Sequence, residues 1–105
     1  MSLYTTRQEA AAGCKAEAAA ATRYGNAAIE KAAEGKCNAA WRMADIARTA
    51  ATCAMQAHEA LWDLSGGQLT EEEFEAFEAA EIAVMKANKA AKAAAAAVQK
   101  MNEKE

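Results

Sequence analysis

Between residues 36 and 64 the polar side chains Asn38, Arg42, Asp45, Thr49, Thr52, Gln56, Glu59 and Asp63 fall on one line, at alternating steps of four and three. A second line, Met43, Ile46, Ala50, Cys53, Ala57, Ala60 and Leu64, is wholly apolar. A third, Ala40, Ala44, Ala47, Ala51, Ala54 and Leu61, is broken only by His58. Steps of three and four mark a helix with a fixed buried face. Two adjacent dry lines and one wet one describe a helix wedged between two neighbours, and the spacing places it at the centre of the fold.

The preceding segment, about residues 5–33, carries the seam Tyr4, Ala11, Cys14, Ala18, Ala21, Gly25, Ala28 and Ala32, with Arg7 the one interruption. Small side chains on a seam let a second helix come inside the usual spacing of about 8 to 10 Å between axes. Gly25-Asn26 is a possible turn, but the seam stays in phase across it and predicts one continuous helix. Glu34-Gly35-Lys36 stops that helix and Ser65-Gly66-Gly67 stops the next, glycine taking the left-handed position after the last turn.

The start of the third helix is the sharpest local signal. In Leu69-Thr70-Glu71-Glu72-Glu73-Phe74, Thr70 is the N-cap, Glu73 closes a capping box, and Leu69 with Phe74 forms a hydrophobic staple. The buried line expected from there to about residue 103 is Phe74, Phe77, Ala80, Val84, Ala87, Ala91, Ala94, Val98 and Met101. Short loops make neighbours antiparallel. The pattern therefore predicts one all-α domain over 1–105, an elongated up-down-up three-helix bundle with helices at about 5–33, 36–64 and 70–103.

Composition sharpens this picture. Alanine makes up about a third of the chain and proline is absent, which excludes a sheet-based fold, because strands need the β-branched and aromatic residues missing here. Large apolar side chains are few. An alanine removes little area from water, at roughly 25 cal/mol per Å², so stability has to come from long, close helix contact, from another chain, or from both.

Charge and cysteine usage add bounds. The net charge of -3 with mixed signs gives no pull toward nucleic acid or an anionic membrane. No basic segment followed by an apolar one opens the chain, and the run Ala91 to Val98 is too short to span a bilayer, which takes about 20 residues. Three cysteines without C-x-x-C spacing read as reduced thiols in the cytoplasm.

Four sets of residues are candidates for chemistry. Cys14 and Cys53, with Met55 or Met85, form a soft donor set for Cu(I), set against the plainer role of cysteine as a small buried hydrophobe. Neither a metal nor another cofactor is expected. His58 reads as a core or interface histidine bonded to a neighbour; it has no nucleophile at recognisable spacing, and no glycine-rich phosphate loop exists, so the chain is expected not to be an enzyme. The acidic run Glu71, Glu72, Glu75, Glu78 to Glu81 suits a basic partner, or simply the positive end of the helix dipole. Finally, Trp41, Arg48, Met55, His58 and Trp62 lie along one margin of the second helix, and tryptophan, methionine and arginine are enriched in interfaces. The function expected is binding of a protein partner or of the chain's own copy, with Cu(I) binding and acidic decoy as the alternatives.

Overall fold

A computed structural model describes residues 4–103 and shows three helices, α1 (Arg7–Ala33), α2 (Cys37–Ser65) and α3 (Glu71–Glu103). All three pairs are in contact, and the molecule measures 54 × 26 × 16 Å. The expected elongated three-helix bundle is what the chain forms, with every helix end within two residues of its predicted position.

Local chemistry explains the starts of α1 and α3 and the two interhelix turns. α1 is capped by Thr6, whose hydroxyl accepts from the Glu9 backbone N–H at 3.1 Å, while the Glu9 carboxylate accepts from the Thr5 N–H. This capping arrangement, Thr6-x-x-Glu9, has the same spacing as the one at Thr70. At α3, Thr70 and Glu73 exchange both bonds of the predicted box, at 2.9 and 3.2 Å. Both interhelix turns are Schellman closures. The N–H of Lys36 donates to the Lys31 carbonyl and that of Gly35 to Ala32; Gly67 and Gly66 donate likewise to Trp62 and Asp63. Gly35 and Gly66 take φ of 77° and 63°, the left-handed region that a Cβ disfavours.

Packing is by alanine. The core divides along the bundle into three layers: one around Ala10, Cys14, Ala54, Leu61, Ala76 and Ala80, a middle one around Ala18, Ala21, Ala47, Ala51, Ala83 and Ala87, and one around Ala28, Ala40, Ala44, Ala90 and Ala94. Among the described residues the largest fully buried side chains are Leu61 and Cys14. The polar line of α2 is exposed throughout, and the line Ala40 to Leu61 is buried as expected apart from the half-buried His58.

Three expected seams need correction. In α3, Ala80, Ala87 and Ala94 are buried, but the second buried column is Ala76, Ala83 and Ala90 rather than Phe77, Val84, Ala91 and Val98. Phe77, Val84, Ala91 and Val98 are half-buried, while Phe74 is 51% and Met101 50% exposed. Phe74 therefore does not close the predicted staple against solvent, although Leu69 packs on the first core layer. In α2, Ala50, Ala57 and Ala60 are buried, but Ile46 and Leu64 are exposed, and Met43 and Cys53 only partly covered. In α1, Ala10 is buried, and Ala11 and Ala32 lie at the margin. The physical reason is the same in α2 and α3, whereas in α1 the shift only exchanges one alanine for another. Methyl groups on the contact line let the backbones approach, and a phenylalanine or isoleucine on that line would hold them apart, so large side chains are displaced to the flanks.

Gly25 shows how close the approach is. It is buried in an unbroken α1, and a Cβ added there would lie 3.5 Å from the Lys86 carbonyl oxygen and 3.8 Å from the Ala90 methyl of α3. Both are ordinary van der Waals contacts, so Gly25→Ala fits without displacement and removes the entropic weakness of a mid-helix glycine. We expect it to raise stability by about 0.5–1 kcal/mol in urea unfolding.

Arg7, the polar interruption of the α1 seam, leaves that seam altogether. Its guanidinium grips the Glu73 carboxylate at both oxygens, with Nε to Oε2 at 2.8 Å, and donates to the Gln68 carbonyl at 2.9 Å. One bidentate pair thus ties the start of α1 to the capping box of α3. Arg7, followed by the Thr70 backbone N–H, holds the Glu73 carboxyl down to about 2, against an ordinary 4.5. A carboxyl depressed on folding contributes stability that is complete above its unfolded value and drains away as pH falls through its folded one. Thermal unfolding of the wild type should therefore lose midpoint temperature between pH 4.5 and about 2 more steeply than that of Glu73→Gln. Equal slopes would show that the pair does not act on folding.

Candidate functional site

Displacement of large side chains to the flanks builds a surface feature between α2 and α3. Trp41, Arg48, Met55 and Trp62 recur every seven residues along α2, so they form a stripe nearly parallel to the helix axis. All four are exposed, Trp62 by 50%. Toward the Trp62 end the stripe becomes the wall of an open groove of about 690 Å³, lined by Thr52, Met55, Gln56, His58, Glu59 and Trp62 from α2 and by Phe77 from α3. A second groove, about 300 Å³, continues from it through Thr52 and Met55 to Arg48, Val84 and Asn88.

The larger groove is organised by aromatic stacking. The His58 imidazole lies on the Phe77 ring at 3.5 Å between centroids and 21° between planes, and the Trp62 ring tilts against the same Phe77 at 5.7 Å. Trp62 also covers the turn, its ring 3.3 Å from where a Cβ of Gly67 would stand. These contacts hold three rings in fixed orientation, the property that gives aromatic anchors their value at interfaces.

His58 was expected to bond a neighbour, and here the structure differs. Its Nε2 is buried without a hydrogen-bond partner, and the nearest acid, Glu81, stands 3.9 Å away, beyond hydrogen-bond reach. The stacked ring is held by packing on Phe77 instead. Burial pushes the imidazole below its ordinary 6.5, with Glu81 pulling the other way. An NMR titration should place its midpoint below 6.5; a midpoint above that value would mean that Glu81 governs it.

The other predicted residues divide. Met55, His58 and Trp62 are brought together in the groove, Arg48 lines its extension, and Trp41 lies apart on the same stripe. Glu71, Glu72, Glu75 and Glu78 are all exposed; Glu72 faces a third groove, with Arg7, Lys15 and Thr70. Phe77 was expected as core and Glu81 only as one acid of a run. Neither carries a local signal of its role, although counting residues from the two turns does bring Phe77 to the height of His58.

The soft donors are not gathered on one spot. Cys14 is buried in the first core layer, and burial pushes its thiol up to about 11, opposing the thiolate that a soft metal takes. Cys53 is half-buried beside Tyr4, whose phenol is pushed up by burial and by Glu17, Cys53 and Cys14. Met55 stands in the α2–α3 groove and Met85 is 67% exposed on the outside of α3. Among the described residues no three His, Cys, Asp or Glu side chains converge as a metal site would need. All three cysteines are free, and no described helix is long and apolar enough to cross a membrane. No protein-family model matches the chain, and neither a curated protein nor a solved structure does so.

Proposed function

We propose that this protein works without catalysis, in the cytoplasm, by contact with another polypeptide, its own copy included, through the groove between α2 and α3. The observation that carries this reading is the inversion of side-chain size: alanines fill the core while Met55, Trp62, Phe74, Ile82, Met85 and Met101 stand exposed. A protein that leaves this much of its scarce large apolar surface in water has a use for it. The open groove offers Met55 and the packed rings of His58, Trp62 and Phe77 to the apolar face of a helix. Burial of Trp62 and Met55 under such a helix supplies binding energy that the bundle itself does not use.

The test is a photoreactive side chain placed at Gln56, inside the groove, and at Ala19, exposed on α1. Irradiation in cells should link Gln56 to a polypeptide, with the link lost when Trp62→Ser is added, and should leave Ala19 unlinked. Equal yields at the two positions, or none at Gln56, would contradict the reading.

A further inference from the structure

The outer face of α3, which borders the groove only at Glu81, carries a self-complementary pattern. The residues Phe74, Glu78, Glu81, Met85, Lys89, Lys92 and Ala96 follow one another at steps of four, three, four, four, three and four. The steps read the same in both directions from Met85. At 3.6 residues per turn these seven occupy a strip about 80° wide and about 33 Å long. All are exposed, Met85 by 67% and Phe74 by 51%. Two glutamates precede the central methionine at four and seven residues, and two lysines follow it at the same distances.

The helix dipole accounts for acids before bases along α3. It does not account for acids and bases mirrored in position about an exposed methionine on one strip. That arrangement is what an isologous contact needs, in which each residue meets its counterpart across a two-fold axis. We propose that a second copy of this chain docks there, its α3 antiparallel to the first, with the two-fold axis at Met85. Met85 then meets Met85 of the second copy, Glu81 meets Lys89, Glu78 meets Lys92, and Phe74 covers the bare backbone at Ala96, each contact occurring twice.

The charges are free for this use. Among the described residues Glu78, Lys89 and Lys92 enter no ion pair within the chain, and Glu81, 56% exposed, is only loosely placed beside His58 at 3.9 Å. A parallel pairing would set glutamate against glutamate and lysine against lysine, so the charges select the antiparallel copy. With one apolar contact at its centre and one at each end, the interface is small, and the expected Kd is on the order of 10–100 μM.

Sedimentation equilibrium tests the proposal on the full chain and three variants, with circular dichroism confirming that each remains helical. The wild type should show the dimer mass at roughly 100 μM and above. Glu78→Lys with Glu81→Lys should be monomeric there, as should Lys89→Glu with Lys92→Glu, each with at least tenfold weaker association. Mixing those two variants should restore the dimer mass, because their α3 faces are then opposite in charge along the whole strip. Trp62→Ser, in the groove, should leave the wild-type dimer intact, so failure here and failure of the groove reading are separable. A wild type that stays monomeric, charge variants that remain dimeric alone, or a dimer lost on Trp62→Ser but not on charge reversal would each overturn it.

Discussion

Ala47→Leu should cost the bundle at least about 2–3 kcal/mol, because overpacking of a filled core is felt in full where no neighbour can retreat. Ala47 is completely buried in the middle layer, where α1 contributes Ala18 and Ala21 and α3 contributes Ala83 and Ala87. Three more carbons at that point have to push one helix off the other two, and a rigid helix moves along its whole length. Every methyl contact of the layer is loosened at once. In a domain whose net stability is on the order of 5–15 kcal/mol, this is a large share. Ala19→Leu is the matched comparison, the same change on an exposed position, and should stay within about 0.5 kcal/mol of wild type. Urea unfolding of the two variants side by side reads the difference. A leucine at position 47 that fits without penalty would mean that the seam is not close-packed.

Leu61→Ala is the second large effect and acts by the opposite mechanism. Among the described residues Leu61 is the one large aliphatic side chain wholly inside the bundle, surrounded by Ala10, Cys14, Ala54, Ala57 and Ala80. Removing it leaves a void that alanine methyls cannot reach across, since short side chains have no rotamers with which to refill space. The expected loss is about 2–5 kcal/mol, toward the upper part of that range. The same substitution at Leu64, which is exposed on the next turn, should cost far less. Comparable losses at 61 and 64 would show that burial is not distributed as described.

The size inversion also explains which parts of this fold were legible in the sequence. Helix existence, the two glycine turns, the Thr70 box and the polar line of α2 follow from propensity and local hydrogen bonding, and each was readable from residues a few positions apart. Orientation of α3 was not. Hydrophobic periodicity gives the heaviest weight to the largest side chains, so Phe74, Phe77, Val84 and Val98 drew the expected seam toward themselves. The true seam passes through Ala76, Ala83 and Ala90, because methyl-on-methyl contact brings backbones together and a ring prevents it. In a chain so rich in alanine, the small residue marks the contact line and the large one marks its edge.

The groove was legible in the same partial way. Trp41, Arg48, Met55, His58 and Trp62 stood out by residue type and heptad spacing, and three of them do meet. What brings them into one wall is Phe77, contributed by another helix and stacked on His58. Likewise the interruption of the α1 seam at Arg7 was visible, while its partner Glu73, sixty-six residues away, was not. Contacts of that range depend on the register of two helices, which one-dimensional patterning fixes only to within about a turn.

The most direct test of close packing by alanine is a nuclear Overhauser spectrum of protein labelled only at its alanine methyl groups. Strong interhelix cross-peaks are expected within the middle layer, linking Ala18 or Ala21 of α1, Ala47 or Ala51 of α2, and Ala83 or Ala87 of α3. A spectrum with cross-peaks only between alanines of the same helix would contradict it.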